Sequence, residues 1–261
     1  MRTEKDSLGE KKVPIDAYYG IQALRGADNF KISGVKEPEV FIRAYVSIKK
    51  AAAQVNASLG VLDPTWAKAI IRAADDVLGG KYLDQFIIDV FQAGAGTSFN
   101  MNTNEVLANR ANEILGHKKG IYKPAHPNDH VNMAQSTNDT FPTAMRISTL
   151  WEHASLKKAL NELIDSLREK GKAFDHIPTS SRTHLQDAVP IRLGQEFQAF
   201  SVTLEKAGQR LEESLHGLCH LNIGATASGT GMNSHPQYAD KMVDALSALT
   251  RLPLKTPQDY V

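Results

Sequence analysis

Three short stretches carry side chains that could do chemistry. GAGTSFNMN at 94–102 holds Thr97 and Ser98, QSTND at 135–139 holds Ser136, Thr137 and Asn138, and RTHLQDAVP at 182–190 holds Thr183 and His184. Each joins small hydroxyls to an amide or an imidazole. The first two fall at a predicted helix start and the third shortly before one. Free N–H groups at a helix start, together with the positive end of its dipole, favour a carboxylate or a phosphate. Hydroxyl and amide donors add grip on an anion without bringing a competing charge. For each stretch alone the plainer alternative is a helix cap, because Ser, Thr and Asn are the usual N-cap residues. A lone histidine is likewise more often structural than catalytic. By themselves these residues reach an anion site and no further.

Other chemistries lack their residues. The first stretch opens like a phosphate loop, with Gly94 and Gly96, yet never supplies the Gly-Lys-Ser/Thr ending that grips a nucleotide. His126, Asp129 and His130 could suggest a metal, but Pro127 interrupts the helical spacing and no Glu or Cys completes a set, so no metal site is assigned. GATASGTGMN at 224–233 has no preceding strand and no complete GxGxxG, and no GxSxG elbow occurs anywhere. The single cysteine, Cys219, excludes an intrachain disulfide and a multi-Cys zinc site, and its place beside Leu218 reads as packing. Thirty Lys and Arg against 29 Asp and Glu leave a formal charge of +1, without the basic excess of a nucleic-acid protein. No apolar run approaches the ~18 residues of a membrane span, and the start MRTEKDSLGEKK is too polar for a secretory signal. These features point to a soluble, cytoplasmic protein that binds neither nucleic acid nor membrane.

The elements that must position the three stretches are mainly helical. Residues 38–58 are Ala-rich with an apolar face. Asp63, Pro64 and Gly79 mark the cap, first position and end of a second helix. A third helix is predicted over 101–115, followed by a Gly- and Pro-punctuated loop over 116–135. One long helix is predicted over 138–173, with Pro142 near its start where proline is tolerated. Another starts at Pro190. Along it Leu193, Phe197, Phe200, Leu204, Ala207, Leu211, Leu215 and Leu218 form a coiled-coil-like seam. Ser234 is predicted to cap a last helix over 235–250, and no strand-rich region is visible. The expected organisation is an N-terminal helical domain, 1–137, and part of a long-helix bundle, 138–261. Two long helices and a shorter one close a bundle poorly. The seam therefore calls for other subunits, or for a polypeptide shorter than the fold it encodes.

Taken in order, DAYYG, GAGTSFNMNTNEVLANRA, HPNDHVNMAQSTND, RTHLQDAVPIRLGQEF and GATASGTGMN resemble the aspartase/fumarase superfamily over about residues 4–260. DAYYG and HLQDAVPIRLGQEF look closer to its aspartate ammonia-lyases than to its class II fumarases. The resemblance implies the family's central helical bundle and a four-carbon dicarboxylate ligand, L-aspartate or fumarate. It implies Cβ-proton removal through an aci-carboxylate, followed by loss of ammonia, with no organic cofactor. Activation by a divalent cation such as Mg is left open. Thr97, Ser136 and Thr137 would hold the β-carboxylate and Thr183 the α-carboxylate, while Asn138 and His184 would surround the amino group. His126, Asn128 and Asp129 match an accessory anion site of fumarases. The family's homotetramer is the expected assembly. Its signature loop, GSSxMPxKxN, which carries the catalytic serine, does not occur in these 261 residues. The expectation is therefore an incomplete aspartate ammonia-lyase. The alternatives are a class II fumarase or another lyase of the superfamily, or a non-catalytic fragment or one half of a split enzyme.

Overall fold

The computed structural model describes residues 1–261. Two hairpins and seven α-helices follow in the order β1 (Arg2–Asp6), β2 (Gly9–Val13), α1 (Ile21–Asn29), α2 (Glu39–Ser58), α3 (Pro64–Leu78), α4 (Thr97–Ile114), α5 (Thr137–Ala173), β3 (Pro178–Thr183), β4 (Gln186–Arg192), α6 (Leu193–Leu218) and α7 (Tyr238–Thr250). They sort into two units, residues 1–148 with 219–261, and residues 149–218. No helix is long and apolar enough to cross a membrane.

In the first unit α2 is the central element, and its alanine-rich sequence lets α3 and α7 pack against it. Tyr45, Ile48 and Ala51 on α2 are wholly buried. The rings of Phe41 and Tyr45 meet Phe99 of α4 and Phe141 of α5 at centroid distances of 5.0–6.1 Å. This aromatic contact fixes the start of α4 beside the start of α5. As predicted, Asp63 caps α3, its Oδ1 accepting the N–H of Thr65 at 2.7 Å. α4 is unusual in burying asparagines. Asn102 accepts from the N–H of Ile87 and donates to the carbonyl of Gln85, and Asn112 does the same with Ala125 at 2.9 and 2.8 Å. Asn109 donates to Tyr18 O and accepts from Gly120 N. A planar amide offers a donor and an acceptor together, so each asparagine satisfies backbone that would otherwise be buried unpaired.

The second unit holds the rest of α5, the β3–β4 hairpin and α6. The two helices approach closely at glycines: a Cβ on Gly194 would stand 2.2 Å from Gly171 O. Arg168 pairs with Glu205 at 2.8 Å and Lys157 with Glu212 at 2.7 Å. The seam is partly covered. Leu215 is buried and Phe174 meets Phe197 edge-on, whereas Phe200 remains 56 % exposed.

Several boundaries differ from the sequence prediction. α4 begins at Thr97, not 101, because Gly96 at φ 81° supplies the left-handed turn from which the helix starts. The predicted loop 116–135 contains a short helical turn, Pro127–Val131. Pro190 lies in β4, opposite Ser180 of β3, so α6 starts at Leu193. α7 starts at Tyr238; Ser234 donates its hydroxyl to Gly231 O and closes a turn instead of capping the helix.

Candidate active site

Gly96 closes the turn into α4 with the Phe141 ring pressed against its α-carbon: a Cβ there would be 2.0 Å from the ring. This contact places Thr97, the first residue of α4, near the first turn of α5. There the Asp139 carboxylate accepts the N–H of Ser136 at 3.0 Å, and the Ser136 hydroxyl accepts the N–H of Asn138 at 3.2 Å. Ser136 is thus a cap, and its own O–H is still available to donate. Thr97, Ser136 and Thr137 line one cavity of about 490 Å³. Its far wall is the 224–233 loop, which presents Thr226, Ser228, Thr230 and Asn233. Two long helices therefore direct their N-termini at one cavity whose lining side chains are all uncharged.

The loop is tied to α5. Asp139 Oδ2 accepts the N–H groups of Gly224 at 3.1 Å and Thr226 at 3.0 Å, and Asn222 donates to the carbonyl of Asn138. The Asn138 amide donates to Ala227 O at 2.8 Å, so its side chain braces the loop and lies outside the cavity lining. Burial pushes the Asp139 carboxyl up to about 6, although these N–H groups and the Lys49 ammonium favour its ionised form.

Lys49, wholly buried on α2, stands behind the cavity. Its ammonium donates to Asn100 Oδ1 at 2.7 Å and to Asn132 Oδ1 and Gln135 Oε1 at 2.9 Å each. Burial lowers its pKa to about 7, while the Asp139 carboxylate pulls it the other way. Asn100, Asn132 and Gln135 all belong to the cavity wall. Sequence reasoning missed Lys49, Asn100, Gln135 and Asp139. The available signal was a lysine on the apolar face of an alanine-rich helix, four residues after Tyr45 and three before Ala52, where a solvated side chain has no place.

The remaining sequence-predicted residues lie elsewhere. Thr183 and His184 belong to the second unit, at the exposed turn joining β3 to β4. His184 at φ 48° and Leu185 at φ 64° are both left-handed, as a two-residue hairpin turn requires. His126 caps the Pro127–Val131 turn, its Nδ1 accepting the N–H groups of Asn128 (3.3 Å) and Asp129 (3.2 Å), and both of those residues are exposed.

A family model described as Lyase matches residues 9–261. The chain is 51 % identical over 253 residues to an aspartate ammonia-lyase of Bacillus subtilis and 50 % identical over 253 residues to a class II fumarate hydratase of Neisseria meningitidis, 97 % of this chain in each case. It spans about half the length of these curated relatives, 53 % and 55 %. A fumarate lyase:delta crystallin structure from Brucella melitensis superposes with a TM-score of 0.95 at 46 % identity, covering 100 % of this chain and 57 % of that one. A class II fumarase from Schistosoma mansoni gives 0.92 at 35 %, covering 99 % and 58 %.

Two sequence expectations are corrected by these matches. The assignment to aspartate ammonia-lyase does not stand, because class II fumarate hydratases match equally well in sequence and the superposed structures are a fumarate lyase:delta crystallin and a class II fumarase. The reading of the chain as only an N-terminal portion with a partial bundle is also withdrawn, although the GSSxMPxKxN pattern is not found in these 261 residues. The match runs through 99–100 % of the chain at high structural similarity, and the difference in length from its relatives assigns no beginning or end to the protein. The chain belongs to this lyase family, the aspartase/fumarase superfamily.

Proposed function

We propose that the protein is a dicarboxylate lyase of the fumarase type, adding water to fumarate and removing it from L-malate. One observation carries the reading: two helix N-termini and a set of neutral hydroxyl and amide donors converge on one cavity, with a buried ammonium behind it. Such a site holds a carboxylate in place without a salt bridge. As the Cβ proton of malate leaves, negative charge grows on the adjacent carboxylate, and preorganised donors stabilise that dianion more than the ground state. Loss of the hydroxyl as water then gives fumarate. Thr97, Ser136 and Thr137 are the proposed carboxylate holders. Thr183, His184 and Asn138 keep the substrate-contact roles implied by the family resemblance, and His126, Asn128 and Asp129 the accessory-site role, as proposals.

The test is a fumarate absorbance assay. L-Malate is expected to yield fumarate, and Thr97→Ala and Ser136→Ala are each expected to lower kcat/KM about 10- to 100-fold, the effect of losing a hydrogen bond to a charged group. Turnover confined to L-aspartate, or none with either substrate, would contradict the reading.

A further inference from the structure

We infer that Asn100 is a carboxylate donor in this cavity, and that Lys49 is the positioning residue that fixes which way its amide faces. The inference rests on the dicarboxylate reading and adds to it a residue and a reason for a buried charge.

The orientation follows from hydrogen-bond accounting. An ammonium has three protons and can only donate. Lys49 directs all three at amide oxygens, those of Asn100, Asn132 and Gln135. Each amide must therefore turn its nitrogen away from Lys49. Asn132 Nδ2 then donates to Gln135 O at 3.2 Å, and Gln135 Nε2 donates to Val131 O and Met133 O at 3.0 and 3.1 Å. Asn100 differs. Its oxygen is held by Lys49 and also by the Tyr45 hydroxyl at 3.1 Å, but its nitrogen has no protein partner. The residue is only 3 % exposed, and it stands in the cavity wall together with Thr97 and Ser136.

With its oxygen held from the protein side, the Asn100 nitrogen borders the cavity and is left to donate to an acceptor that arrives with the ligand. A carboxylate oxygen fits, because the neighbouring side chains are hydroxyls that can donate to the same anion. Lys49 adds a second effect. Its hydrogen bond polarises the Asn100 amide and makes the N–H a stronger donor. The bland alternative is a structural cross-link among α2, α4 and the 132–135 segment. That role uses only the oxygen of Asn100, so a substitution that keeps the oxygen separates the two.

Fumarate is titrated calorimetrically into wild type, Asn100→Asp, Asn100→Ala, Lys49→Met and Thr97→Ala, with a thermal melt of each. Asn100→Asp keeps an oxygen for Lys49 and Tyr45 but replaces the donor with an anion. Fumarate binding is expected to weaken at least about 100-fold while the melting temperature holds or rises. Asn100→Ala should weaken binding about 10-fold. Lys49→Met should weaken it by a similar factor, and add nothing in an Asn100→Ala background, because Lys49 acts through Asn100. If Lys49→Met does not fold, Asn100→Asp decides alone. Asn100→Asp binding within about threefold of wild type, with Thr97→Ala impaired in the same titration, overturns the inference and leaves the dicarboxylate reading standing. Wild type failing to bind fumarate overturns both.

Discussion

A short hydroxyl residue can cap a helix and still keep its own proton for a ligand, and the geometry of Ser136 allows both. Its oxygen accepts the Asn138 N–H while its own proton stays available to a ligand. A cap at Ser136 is therefore compatible with the proposed site. The hydroxyls of Thr97, Ser136 and Thr137 were legible because their residue types are matched to helix starts, and the structure brings all three to one cavity. Lys49 and Asp139 were not legible, since each acts through partners 51–87 residues away that only the folded chain brings near. Asp139 yields a prediction of its own. Its carboxylate accepts three backbone N–H groups, and an amide nitrogen would set two donors against them. Asp139→Asn is expected to destabilise the protein by about 2 kcal/mol in urea unfolding and to lower fumarate affinity through the loosened 224–233 loop. A loss below about 0.5 kcal/mol would contradict that account.

Elements with local signals were read well, and elements held from afar were not. α3 carries its own cap, proline and terminator, and it forms where they predict. α1 has no capping side chain of its own. Its first N–H groups are satisfied by distant carboxylates: Glu105 accepts from Gly20, Gln22 and Ala23 at 2.9 Å each, and Glu4 accepts from Ile21. Burial, reinforced by the nearby Glu4 charge, pushes Glu105 up to about 7 despite these donors. A carboxyl raised in the folded state gives stability that is fully present below its unfolded value, about 4.5, and lost as the pH rises through about 7. Glu105→Gln removes that titration. The stability advantage of wild type over the variant should therefore shrink between pH 5 and pH 8 in urea unfolding; a constant difference would contradict it. The start of α4 makes a sterner demand. Gly96→Ala would combine a left-handed alanine with a clash against Phe141, and is expected to cost about 2–4 kcal/mol. A loss within about 0.5 kcal/mol would show that α5 yields at Phe141.

For the whole molecule, the mainly helical class and the family were legible from five motifs in order, while the branch within the family was not. An aspartate ammonia-lyase and a class II fumarate hydratase are 51 % and 50 % identical to this chain over 253 residues, so likeness to the family could not separate the two. The apolar seam bears on assembly. Phe200, on the seam, is 56 % exposed, and Leu156 and Leu163 on α5 are 54 % and 49 % exposed. Apolar surface of this kind marks association, and the family resemblance proposes a homotetramer. Sedimentation is expected to show that assembly, and Phe200→Glu to dissociate it; a wild-type monomer would contradict the proposal. Whether the cavity joining the starts of α4 and α5 binds a dicarboxylate is decided most directly by a crystal structure with fumarate. One carboxylate is expected within hydrogen-bond distance of Thr97 Oγ1, Ser136 Oγ and Asn100 Nδ2. Fumarate bound elsewhere, or an unliganded cavity at saturating fumarate, would contradict it.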